Sequence, residues 1–116
     1  KKIDLPWSSI FLMERIAKEC GIQFETQSAP PYDVDLPPEF KDERCILFKR
    51  SPNGPCVLLF YTKLFSENGQ GSQNGTAIDA IFVRSDEKTR YRRLNLKGQF
   101  TLDLLRTILS DPLSQP

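Results

Sequence analysis

The chain has 116 residues, 39% hydrophobic and 27% charged. That is ordinary globular usage, enough for one core without disulfides or metal, and it excludes disordered and fibrous classes. The longest apolar runs, residues 10–13 and 56–61, fall far short of the roughly 20 residues a membrane span needs.

A formal net charge of +1 conceals segregation, because acids gather over residues 25–43 and bases over 88–97; local field matters more than the total. The first residue is lysine and no leader pattern follows it, as expected of an excised fragment. Three cysteines, Cys20, Cys45 and Cys56, form no CxxC pair. An odd number is a poor disulfide framework, so a reducing, cytoplasmic compartment is expected, with all three thiols as packing residues.

In chain order, residues 7–20 place Ile10, Met13, Ala17 and Cys20 on one helical face, with Leu12 and Ile16 beside them. Pro6 suits the helix start, Asp4 or Ser8 is a candidate cap, and Gly21 suits the left-handed residue past the end. Residues 22–26 alternate as a short strand. Residues 28–40 hold four prolines in thirteen residues, which lack the amide donors of a central strand, and read as a surface excursion. Residues 44–49 and 56–64 are strands flanking a turn-forming SPNGP hairpin loop; both are largely apolar, so at least one is expected to be central.

Residues 65–75 read as a mobile loop. The tripeptide Asn74-Gly75-Thr76 matches a glycosylation sequon and is read as a polar turn. Residues 76–84 form a strong third strand and 85–88 a turn. Residues 89–96 form a fourth, with Leu94 and Leu96 on one face and Tyr91, Arg93 and Asn95 on the other. Residues 100–109 return to helical spacing, and Asp111-Pro112 stops that helix. The expected fold is one α+β module over residues 1–116. It has an antiparallel sheet of four to five strands, and the N-terminal and C-terminal helices pack on one of its faces.

Three stretches resemble the kinase-associated domain 1, the C-terminal regulatory domain of checkpoint, polarity and AMP-activated-type protein kinases. IFLMERIAKECGIQFE looks like that family's helix, small residue and aromatic-containing strand. CVLLFYTKLFSE with AIDAIFVRSDEK resembles its paired central strands, and RYRRLNLKGQFTLDLLRTILS its closing strand, Lys-Gly turn and final helix. Together they cover roughly two thirds of the chain in matching order. The chain departs from the pattern where only residues 1–5 are available for an opening strand, and where the connection over 28–41 is longer and richer in proline. The resemblance implies a regulatory domain that binds anionic phospholipid headgroups, or one that contacts a kinase catalytic domain or partner subunit in autoinhibition or scaffolding.

The densest basic segment, KTRYRRLNLK, supplies Lys88, Arg90, Arg92, Arg93 and Lys97. With Leu94 and Leu96 inward, Arg93 and Lys97 are expected outward with Tyr91, and Arg90 and Arg92 on the other face. Lys49 and Arg50 join them if the strands are neighbours. These seven residues are the candidate site for an anionic headgroup, each base worth about 1 kcal/mol near an anionic leaflet. The competing reading is a solvated edge whose bases deter aggregation. Trp7 is read as a partly buried staple in preference to a membrane-inserting aromatic.

The second candidate surface, for a protein partner, is the acidic, proline-rich stretch 28–43. Catalysis is not expected: histidine is absent, removing the commonest general base and metal ligand. The carboxylate pairs Asp33/Asp35 and Asp86/Glu87 have no nucleophile or ligand set beside them, and Gly69-Gln70-Gly71 is too short for a phosphate loop. No cofactor or metal is implied. Nucleic acid is not an expected partner, since one tyrosine among arginines and a charge near zero fall short of the broad positive face of dedicated binders.

Overall fold

The computed structural model describes residues 3–6, 9–31, 36–64, 75–96 and 100–116. The strands are β1 (Ile3–Pro6), β2 (Gln23–Gln27), β3 (Cys45–Lys49), β4 (Cys56–Leu64), β5 (Gly75–Arg84) and β6 (Arg92–Arg93). The helices are α1 (Ser9–Glu19) and α2 (Leu102–Ser110), with single 3-10 turns at Pro38–Phe40 and Pro112–Ser114.

All strand pairings are antiparallel, in the order β1-β5-β4-β3-β2. The first half of β5 pairs with β1 and its second half with β6 along the same edge. This is the expected α+β sheet with two helices on one face, enlarged by two short edge strands. Pro6 closes β1 instead of opening the helix, and its missing N–H is tolerated at a sheet edge.

Helix boundaries follow local chemistry. Gly21 has φ 71°, its N–H donates to the Lys18 carbonyl at 3.1 Å, and the Ile22 N–H donates to the Ala17 carbonyl at 2.8 Å. These two bonds make a Schellman stop that only a residue at ease in the left-handed region closes without strain. At the start of α2 the Thr101 hydroxyl accepts from the Leu104 N–H at 3.0 Å, satisfying one of the donors a helix start leaves open. Asp111 and Pro112 end it as expected.

The core divides in two because the strands are apolar on both faces. On one face Ile46, Phe48, Val57, Leu59, Ile81 and Val83 meet Met13, Ile16 and Ala17 of α1 and Leu105, Ile108 and Leu109 of α2. On the other, Cys45, Leu47, Cys56, Leu58, Phe60, Ala80 and Phe82 cluster with Phe40.

Phe40 corrects the reading of residues 28–40 as a surface excursion. The Pro38–Phe40 turn drops this ring, 8% exposed, onto the helix-free face. There it stands 4.7 Å from the Phe60 ring and 5.4 Å from Phe82. Prolines exclude the segment from the sheet hydrogen-bond ladder, yet leave it able to roof a face.

Residues 89–96 were expected as a full strand, but only Arg92–Arg93 pair, with the Leu94 N–H adding a 2.9 Å bond to the Ile81 carbonyl. The sequon reading is also corrected: Gly75 and Thr76 begin β5, and Thr76 is fully buried. The expected loop over 65–74 lies outside the described residues, as do Trp7, Asp33, Asp35 and Lys97.

Replacing Phe40 by Ala is expected to cost about 3 kcal/mol, the range for deleting a packed aromatic. Urea unfolding checks this; a loss below about 0.5 kcal/mol is what a surface excursion predicts.

Candidate functional site

Strand register decides which bases share a surface. Lys49 of β3 stands opposite Cys56 of β4, which stands opposite Arg84 of β5. Paired residues project to the same face, and Cys56 belongs to the helix-free core. Lys49 and Arg84 therefore flank it on that face, two strand spacings or about 10 Å apart along the row.

The chain leaves β5 at Arg84 into a turn that its own side chains pin. Asp86 Oδ1 accepts from the Lys88 N–H at 2.8 Å and the Thr89 hydroxyl at 2.7 Å, and the Ser85 and Thr89 hydroxyls are 2.7 Å apart. The Thr89 hydroxyl first, and then the Lys88 N–H, hold the Asp86 carboxyl below its ordinary value. The Asp86 carboxylate is thus turned onto its own backbone, while Lys88 and Arg90 are exposed.

The returning segment folds over the same face. Tyr91 packs on the helix-free core with the Arg84 guanidinium 4.6 Å above its ring. Arg93 stands opposite Phe82, with its guanidinium 5.5 Å from the Phe40 ring centre and 5.9 Å from that of Phe82. Its Nη2 also donates to the Asp79 carbonyl at 3.5 Å. Asp79 sits at a bulge in β5 opposite the Phe60/Tyr61 step, its Oδ2 accepting from the Thr62 hydroxyl at 2.6 Å. The face expected to turn Tyr91 and Arg93 outward is therefore roofed, and both residues help to roof it.

The seven candidate bases are dispersed. Lys49, Lys88 and Arg90 gather at one end of the sheet. Arg92 stands opposite Val83 on the helix side and is exposed. Arg93 lies flat on aromatic rings. Arg50, next to Lys49 in sequence, reaches the helix layer, where its Nη2 donates to the Leu109 carbonyl at 3.5 Å, a favourable place for a cation at a helix C-terminus. Arg84 is the base that sequence reasoning missed. It closes the run TAIDAIFV and reads as a strand terminus; only pairing with β4 and β3 aligns it with Lys49.

Two other features bear on function. Cys45 and Cys56 are fully buried, and burial pushes the Cys45 thiol up to about 11, the reverse of what activates a nucleophilic cysteine. A cleft of about 850 Å³ opens beside the proline-rich connection, lined by Gln27, Pro30, Pro31, Leu36, Lys41 and Asp42 among others.

Comparison of the chain with protein-family models, with curated proteins and with solved structures returns no match. Among the described residues no helix is long and apolar enough to cross a membrane.

The Cys45 thiol gives a pH dependence of defined sign. Its folded value lies above its ordinary 9.0, so the unfolded chain releases this proton first as pH rises. The contribution is complete below pH 9 and is lost as pH climbs through about 11. Across that window wild-type stability is expected to fall more steeply than that of Cys45→Ala, measured by urea unfolding at each pH; parallel slopes contradict the burial.

Proposed function

We propose that the chain is a non-catalytic regulatory or targeting module of a Ser/Thr protein kinase, and that it binds anionic phospholipid headgroups at the basic end of its sheet. The observation that carries this reading is the register row Lys49–Cys56–Arg84, continued by Lys88 and Arg90 in a turn whose shape is already set.

A preorganised group of bases on a rigid hairpin loses little entropy on meeting phosphate, and at about 1 kcal/mol each four bases supply useful affinity for an anionic leaflet. Arg92 stands at the margin of this surface. The kinase parent rests on the sequence resemblance. The non-catalytic part rests on the absence of histidine and the burial of two thiols. A cytoplasmic setting, peripheral at the membrane, follows from the same reading.

A second reading, contact with a kinase catalytic domain or partner subunit, is favoured by the cleft beside the proline-rich connection. Its wall carries Asp42 and Lys41 with apolar Leu36 and Pro38 between polar neighbours, a mixture suited to a protein surface.

Sedimentation with phosphatidylserine-containing vesicles at low salt tests the first reading. Lys88→Ala with Arg90→Ala is expected to weaken partitioning about 30-fold, the equivalent of about 2 kcal/mol for two bases. Arg93→Ala is expected to leave partitioning within about twofold while lowering stability by about 1–2 kcal/mol through its lost ring contacts. Absence of wild-type binding, or indifference to the double substitution, refutes the headgroup reading.

A further inference from the structure

The large apolar side chains left exposed among the described residues are Phe11, Leu12 and Leu113. The first two are consecutive in α1, Phe11 at 59% exposure and Leu12 at 36%. A helix on a sheet normally turns its apolar stripe inward, and α1 does so with Met13, Ile16 and Ala17. At about 100° per residue Phe11 stands about 160° around the helix from Met13. It occupies nearly the outermost line of α1.

Along that outer line follow Arg15, four residues on, and Lys18, seven on, both exposed. Neither forms an ion pair among the described residues. The acid on the same side, Glu19, is held by Arg106 at 2.9 Å, so its charge is compensated. Charge on the outer face is therefore cationic beyond an apolar first turn, with about 10 Å along the axis from Phe11 to Lys18.

This pattern selects between occupants. A helix that fills a protein groove repeats apolar anchors at i, i+4 and i+7, and here the i+4 and i+7 positions are bases. One apolar turn followed by cations is instead what an anionic bilayer receives, the ring at the acyl boundary and the bases among headgroups.

Chain direction adds continuity with the basic end of the sheet. α1 begins after Pro6, which stands opposite Gly75, and ends before Gln23, which stands opposite Lys49. It thus runs from the Gly75 end toward the Arg84 end, bringing Lys18 toward the basic hairpin.

We propose that the outer face of α1 is a membrane-inserting element. Phe11 and Leu12 enter the headgroup–acyl boundary of an anionic bilayer, and Arg15 and Lys18 engage its phosphates. This rests on the anionic-membrane reading and adds to it the element that gives the contact depth.

The test uses the full chain with vesicles of phosphatidylserine and phosphatidylcholine, the latter with or without brominated acyl chains. Phe11→Trp in a Trp7→Phe background is expected to show blue-shifted, bromine-quenched emission on binding. Phe11→Ser with Leu12→Ser, its fold checked by circular dichroism, is expected to weaken partitioning at least about tenfold, the effect of losing one apolar side chain's burial. If wild type binds and Lys88→Ala with Arg90→Ala weakens it, but the serine variant binds as well as wild type and the introduced indole is unquenched, this inference is overturned and the headgroup reading stands. No wild-type binding at low salt overturns both. Unchanged vesicle binding by a serine variant that loses contact with a kinase catalytic domain assigns the patch to a protein partner and overturns the inference.

Discussion

A sheet whose central strands are apolar on both faces must be covered on both sides, and this constraint organises the molecule. In β4 the side chains of Val57, Leu59 and Tyr61 enter one core and those of Cys56, Leu58 and Phe60 the other. Two helices suffice for the first face. The second has no helix and is closed by a short 3-10 turn, one aromatic ring and the returning segment after β5. Every group recruited to that roof is withdrawn from solvent, so the roof determines which charges remain to meet a partner.

The distribution of arginines follows from it. Arg84 and Arg93 lie over the aromatic rings of Tyr91, Phe40 and Phe82, a role suited to a planar, weakly hydrated guanidinium. Arg50 is drawn to the last turn of α2. Lys88 and Arg90, in the turn beyond the roof, remain outward. A basic segment that looks uniform in sequence thus divides into bases that hold the fold and bases that face solvent. Arg84 serves both ends, stacking on Tyr91 while aligned with Lys49.

Much of the fold was legible because strong local signals agreed with one another. Residues 56–64 are apolar without interruption and bounded by turn formers, and β4 occupies them. Gly21 ends α1, and Asp111-Pro112 ends α2, each for the conformational reason the residue type supplies. Phe40 was not legible as a core residue, because composition reports that prolines cannot join a ladder and is silent on what the segment lies against. The site was legible as a concentration of charge and not as a geometry. Alternation correctly separated Arg92 from Arg93, but which side of the sheet was wet depended on a turn about fifty residues earlier in the chain. Arg84 needed the register of three strands, a long-range property that no local window contains.

The central claim is that the end of the sheet bearing Lys49, Arg84, Lys88 and Arg90 meets an anionic surface. The most direct measurement is a backbone amide NMR titration of the chain with phosphatidylserine nanodiscs. The account predicts that perturbations concentrate at Lys49, Arg84 and the turn through Arg90, extend to α1, and fade as salt is raised. Perturbations confined to the cleft around Pro30, Pro31 and Lys41, or an unchanged spectrum at low salt, would contradict it.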